Sequence, residues 1–138
     1  MKTAENHTIH FSSKFENIVF VEKLIEDVFE EFNIKNDYYG NVLVAVTEAV
    51  NNAIQHGNKL DETKSIDVMV EANSEKLSFI IRDEGTGFDY TKTPDPTDPQ
   101  NIKKLNGRGL FLIKHLADKT SFRENGSVLE LNFKIFNN

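Results

Sequence analysis

The sequence is first informative for what it lacks. No cysteine occurs in its 138 residues, which excludes disulfides and thiolate zinc sites and fits a reducing compartment. No apolar run approaches the ~18 residues of a membrane span, and the first residues show no signal-peptide pattern. Positive charge is in short supply: 16 Lys and Arg face 22 Asp and Glu, a net charge of −6. Such a surface does not wrap nucleic acid or dock on anionic lipid. A cytoplasmic protein with no direct nucleic-acid or membrane contact is expected. Proline is confined to three positions, Pro94, Pro96 and Pro99. What is present is a globular balance, 38% hydrophobic and 28% charged, in a chain of one domain's length with a core of its own.

The segments read as β-α-α-β-β-loop-α-β-β. Residues 7–11 alternate weakly as a strand. A helix follows, with Ser13 and Glu16 spaced as a capping box and Phe15, Ile18, Val21, Leu24, Ile25, Val28, Phe29 and Phe32 at helical spacing. Its charged face, Glu16, Glu22, Lys23, Glu26, Glu30 and Glu31, reads first as solvated and second as a docking surface. A second helix spans 36–57, with Gly57 as its C′ stop. Residues 65–83 form a hairpin, a short helix begins near Gly107, and two final strands join at Asn125-Gly126. The pattern predicts an α+β two-layer sandwich, a mixed sheet with helices on one face. Between 83 and 107 lies a long Gly/Pro/Asp/Thr-rich stretch. A loop of that length in a compact domain is a functional lid or disordered, and a lid over about 91–106 is expected.

The second helix carries an odd polar row. In "VTEAVNNAIQHG" (46–57), Glu48, Asn52 and His56 stand four apart and share one face. Taken alone, His56 near a helix C-terminus reads as a cap or dipole partner. Two glycine clusters bracket the lid: Asp83-Glu84-Gly85-Thr86-Gly87 and Gly107-Arg108-Gly109. Neither extends to the dinucleotide fingerprint or to a P-loop. Glycines opening a helix nevertheless leave free N–H groups, an anion site. A lid between two such clusters, beside a polar helix face, describes a pocket for a phosphorylated ligand.

Three ordered blocks, "EAVNNAIQHG", "RDEGTGFD" and "NGRGLFLIKHLAD", resemble the N, G1 and G2 boxes of the GHKL (Bergerat-fold) ATP-binding domain. The resemblance covers nearly the whole chain, including a terminal "NGSVLEL". It is strongest to the bacterial anti-sigma serine/threonine protein kinases. The resemblance implies ATP/ADP and Mg²⁺ as cofactors, with Asn52 as metal ligand and Glu48 as catalytic base. Asp83 would accept a hydrogen bond from the adenine amino group, Gly87 would let the chain pass close to the base, Gly85 would belong to the same nucleotide site, and Ser127 would help a water fix the base. Gly107, Arg108, Gly109 and Leu110 would lie near the phosphates. Where kinases of the sporulation type carry arginine and serine before the G2 glycines, this chain has Lys103-Lys104-Leu105-Asn106.

The activity implied is phosphorylation of a serine on a STAS-domain anti-anti-sigma factor, with sequestration of a sigma factor by a homodimer. Two alternatives stand beside it: a nucleotide-dependent partner-switching module without kinase activity, and a catalytic domain of the histidine-kinase type.

Overall fold

The computed structural model describes residues 5–85 and 105–135. Five strands, β1 (Glu5–Ser12), β2 (Ser65–Ala72), β3 (Lys76–Arg82), β4 (Lys119–Arg123) and β5 (Val128–Lys134), form one sheet in the order β1-β2-β3-β5-β4. Three helices, α1 (Ile18–Glu31), α2 (Tyr39–Asn52) and α3 (Leu105–Leu116), form the second layer. Architecture and element order match the sequence reading. One detail differs. All four strand pairings are antiparallel, so the sheet is not mixed among the described strands. β3 and β4 do run parallel, as a single-helix crossover through α3 requires. However, β5 inserts between them, and no parallel pair among the described strands is hydrogen-bonded.

Periodicity explains each layer. Val21, Leu24, Ile25, Val28 and Phe29 bury one stripe of α1, and Val42, Ala45, Val46, Ala49 and Val50 bury one stripe of α2. In the sheet, the register pairs Leu77 with Phe133, Phe79 with Leu131 and Ile81 with Leu129. Their side chains share the inner face with Ile66, Val68 and Val70 of β2. Phe79 and Phe133 meet edge to face, centroids 6.2 Å apart. Burying each such side chain stabilises by about 1.5–3 kcal/mol. The opposite face carries the pairs His10–Asp67, Arg82–Glu124 and Arg123–Glu130.

The helix ends depart from the sequence reading. α1 closes on a Schellman turn: Asn33 takes a left-handed φ of 53°, and the Ile34 N–H donates to the Phe29 carbonyl at 2.9 Å. At the other end the capping box does not form. Lys14 and Asn17 occupy the cap positions of the short 3₁₀ turn Phe15–Asn17 and of α1, neither with a side-chain cap. The Ser13 hydroxyl donates instead to the Lys64 carbonyl, 2.9 Å away. A local motif has yielded to a contact 51 residues distant. The last strands meet through a 3₁₀ turn, Glu124–Gly126, with left-handed φ at Glu124 and at Gly126. The connection is therefore wider than a tight Asn-Gly hairpin.

Candidate active site

α2 does not stop at Asn52. It widens into a π turn, Ala53–Gly57, closed by the Asn58 N–H donating to the Ala53 carbonyl at 2.8 Å. Such turns concentrate at functional sites. Gly57 is not the left-handed C′ residue expected. Among described glycines only Gly126 has positive φ, and the left-handed residues here are Lys59 and Leu60. Gly57 is glycine for a different reason. A Cβ there would stand 2.3 Å from Asp83 Oδ2, and one at Gly85 would stand 2.0 Å from the Gly57 carbonyl oxygen. The two glycines clasp the Asp83 carboxylate.

Asp83 follows β3 and is 9% exposed. Its N–H donates to the Ser127 carbonyl at 2.9 Å, and its Oδ1 accepts the Gly85 N–H at 2.8 Å. Burial pushes its carboxyl above the ordinary value, with the Gly85 bond and the Lys64 charge pulling the other way. The Ser127 hydroxyl donates to the Glu124 carbonyl at 2.8 Å. Asp83 and Ser127 open onto a cleft whose wall also includes Asn52, His56, Gly57 and Leu110. Ala49 and Ala53, one helical turn apart, leave its floor on α2 low.

α3 crosses α2 at the far end of this cleft. A Cβ at Gly109 would lie 3.2 Å from Glu48 Oε2 and 3.2 Å from Asn52 Nδ2, so α3 lies flush against both side chains. The Asn52 amide nitrogen is buried without a hydrogen-bond partner, as is His56 Nε2. His56 is therefore no helix cap. It lines the cleft, and burial lowers its imidazole pKa below the ordinary value. A buried polar atom without a partner costs about 1–3 kcal/mol. Two of them in one cleft suit a polar ligand.

The structure thus gathers Asn52, Asp83 and Leu110 with Ser127 around one cleft, sets Gly85 behind Asp83, and sets Glu48 and Gly109 at its α3 end. Glu48 is not itself in the cleft wall. Gly107 and Arg108 fall in the first turn of α3, but the Arg108 side chain lies outside the described residues, as do Gly87 and the expected lid up to residue 104. Sequence reasoning missed Phe122, Ile81 and Leu129, apolar wall residues indistinguishable in sequence from core. His56, placed by its spacing on the same polar row as Asn52 but read as a cap or dipole partner, also lines the cleft. Among the described residues no group of three or more His, Cys, Asp or Glu could hold a metal. A single amide oxygen supplemented by ligand phosphates and water suits Mg²⁺ better than a softer ion. Among the described residues no hydrogen bond fixes the Asn52 amide in one orientation.

A family model described as a histidine kinase-like ATPase domain matches residues 11–133. The chain is also similar to the serine-protein kinase RsbW of Staphylococcus aureus. It is 31% identical over 124 residues, covering 84% of this chain and 78% of the relative, with the same figures in strains JH9, Newman and USA300. With its fold, its cleft and the span of these matches in agreement, the chain belongs to the histidine kinase-like ATPase domain family.

Proposed function

We propose that this ATPase-family protein is an ATP- and Mg²⁺-dependent serine/threonine kinase of the anti-sigma type. Its substrate is a serine on a STAS-domain antagonist, and its unmodified partner is a sigma factor. The observation that carries the reading is the division of one cleft. A clasped carboxylate, Asp83, stands at one end and Asn52 at the other, with Glu48 just beyond the wall beside Asn52 and against Gly109 of α3. The likeness to serine-protein kinases supports serine as acceptor.

In this reading Asp83 accepts the adenine 6-amino hydrogen bond, and Gly85 and Gly87 leave room for the base. Ser127 offers its oxygen to a water beside it. Asn52 turns its amide oxygen to the metal, and Mg²⁺ when bound offsets charge on the β- and γ-phosphates. Gly107, Arg108, Gly109 and Leu110 present the start of α3, where helix N–H groups favour anions. Glu48 takes the proton from the incoming serine hydroxyl. The hydroxyl oxygen then bonds to the γ-phosphorus as the bond to the β–γ bridging oxygen breaks, leaving phosphoserine and ADP. General-base help of this kind is worth typically ~10²–10⁴-fold, and positioning and charge neutralisation supply the remainder. The protein acts as a homodimer in the cytoplasm, as one domain with a lid over 91–106.

A second reading, a nucleotide-gated binding module without phosphoryl transfer, is favoured by one observation: Glu48 lies outside the cleft wall, so nucleotide can bind without it. Incubation with γ-labelled ATP and the STAS proteins of the same genome separates the two. Labelled serine on one of them supports the kinase. Mg-ATP binding with no transfer to any of them supports the module.

A further inference from the structure

Asn58 follows Gly57 and is 1% exposed. An asparagine so buried must satisfy its whole amide, and every part of this one is used. Its Nδ2 donates to Ser13 Oγ at 2.6 Å and to the Ser65 carbonyl at 2.9 Å. Its Oδ1 accepts the Glu84 N–H at 2.7 Å. Ser13 passes the network on, its hydroxyl donating to the Lys64 carbonyl. Glu84 returns to the same region, its carboxylate accepting the Ser65 N–H.

The position of these bonds matters more than their number. Asp83 sits between two backbones: Gly57, close enough to exclude any side chain, and the Glu84–Gly85 turn. Those backbones belong to different elements, the π end of α2 and the end of β3. Asn58 is the next residue after Gly57, and its amide oxygen holds the N–H of the next residue after Asp83. One side chain therefore sets the separation between the two walls that clasp the carboxylate.

We propose that Asn58 is the positioning residue for base selection: it acts through Glu84 and Gly57 to aim Asp83, and touches no nucleotide itself. The inference rests on the reading of Asp83 as the adenine acceptor. It makes a distinction that a merely structural hydrogen bond does not. The Glu84 bond bears on Asp83, whereas the Ser13 bond, at the other end of the same amide, does not.

The test is calorimetry of Mg-ATP and Mg-ITP binding, the latter carrying a carbonyl where ATP has its 6-amino group, with a thermal melt of each variant. Wild type binds ATP in preference to ITP, and Asp83→Asn abolishes most of that preference. Asn58→Ala reduces the ATP:ITP affinity ratio by tenfold or more, mainly through weaker ATP binding. Asn58→Asp keeps an acceptor for the Glu84 N–H and retains more of the ratio than Asn58→Ala. Ser13→Ala lowers the melting temperature and leaves the ratio at the wild-type value. Should Asn58→Ala not fold, Asn58→Ser, too short to reach Glu84, carries the same expectation.

A wild-type preference that survives in Asn58→Ala or Asn58→Ser overturns the positioning role while leaving the adenine reading intact. A ratio that falls equally in Ser13→Ala overturns it too, because the network would then act only through stability. A wild type with no preference overturns the adenine reading first, and this inference with it.

Discussion

The two ends of the cleft are built on opposite plans. Around Asp83 the framework is engaged: its N–H by Ser127, its Oδ1 by Gly85, the Glu84 N–H by Asn58, with Oδ2 left to face the cleft. At the α3 end Asn52 leaves an amide nitrogen buried and unpartnered, and between the two ends His56 does the same with Nε2. The first end is finished before any ligand arrives, while the second is completed by one. A base needs a rigid template because its selection depends on one donor–acceptor match. Phosphates and a metal bring charges and ligands of their own, and a prebuilt protein network there would compete with them. Preorganisation is spent where discrimination is needed.

The largest expected effect breaks that comparison at the chemical step. Glu48→Gln keeps the size of the side chain beside Gly109 but removes the base. Phosphoryl transfer to a STAS serine should fall by about 10²-fold or more, with Mg-ATP affinity close to wild type. Transfer at the wild-type rate in single-turnover assays would leave Glu48 a structural member of the polar row.

Next comes the finished end. Gly57→Ala lies in a helical segment, where alanine ordinarily stabilises by about 1 kcal/mol over glycine. Here the new Cβ would stand 2.3 Å from Asp83 Oδ2, closer than any real contact, so the carboxylate must move. Loss of a well-aimed buried hydrogen bond costs about 1–3 kcal/mol, and ATP affinity should fall by roughly tenfold or more. Calorimetry showing unchanged affinity would mean that Asp83 is not what the base reads. Asp83→Asn sharpens the point. It should weaken ATP binding comparably while raising the melting temperature of the nucleotide-free protein near neutral pH, because burial disfavours the native charge.

The unfinished end should behave in the converse way. Asn52→Ala removes an amide whose nitrogen bonds to nothing, so the free protein should melt within a degree or two of wild type or slightly higher. Mg-ATP binding should weaken several-fold. A large loss of stability without nucleotide would show that Asn52 is engaged before ligand arrives, and the contrast between the two ends would fail.

How much of this was legible in the sequence follows from the range of the forces involved. Periodicity is local, so α1, α2 and the β2–β3 hairpin could be read directly, and Glu48 and Asn52 stood out because four-residue spacing places them on one face. The misreadings all involve contacts between distant segments. Ser13 matched a capping box, yet bonds to Lys64 and Asn58. Gly57 matched a C′ stop, yet its lack of a Cβ answers to Asp83. The order of strands and helices was read as a mixed sheet, and nothing local announces that β5 will insert between β3 and β4. Asn58 was invisible: one more polar residue after a glycine, with partners at positions 13, 65 and 84.

The smallest effect tests whether His56 belongs to the unfinished part of the cleft. Burial holds its imidazole below the ordinary value, so the folded protein keeps His56 neutral at a pH where the unfolded chain has begun to protonate it. The unfolded state then binds more protons, and stability falls as pH falls. His56's contribution is complete above the unfolded value, about 6.5, and is lost as pH drops through that value toward the lower folded one. Stability of wild type and of His56→Gln should therefore be compared at pH 7.5 and at pH 5.5, with denaturant, in the absence of nucleotide. His7, His10 and His115 are common to both proteins and cancel in the difference. The wild type should lose more stability on acidification than the variant. A difference between the two proteins that does not change across this interval would mean that the imidazole is free to protonate in the fold, in contact with solvent and not held dry in the cleft wall.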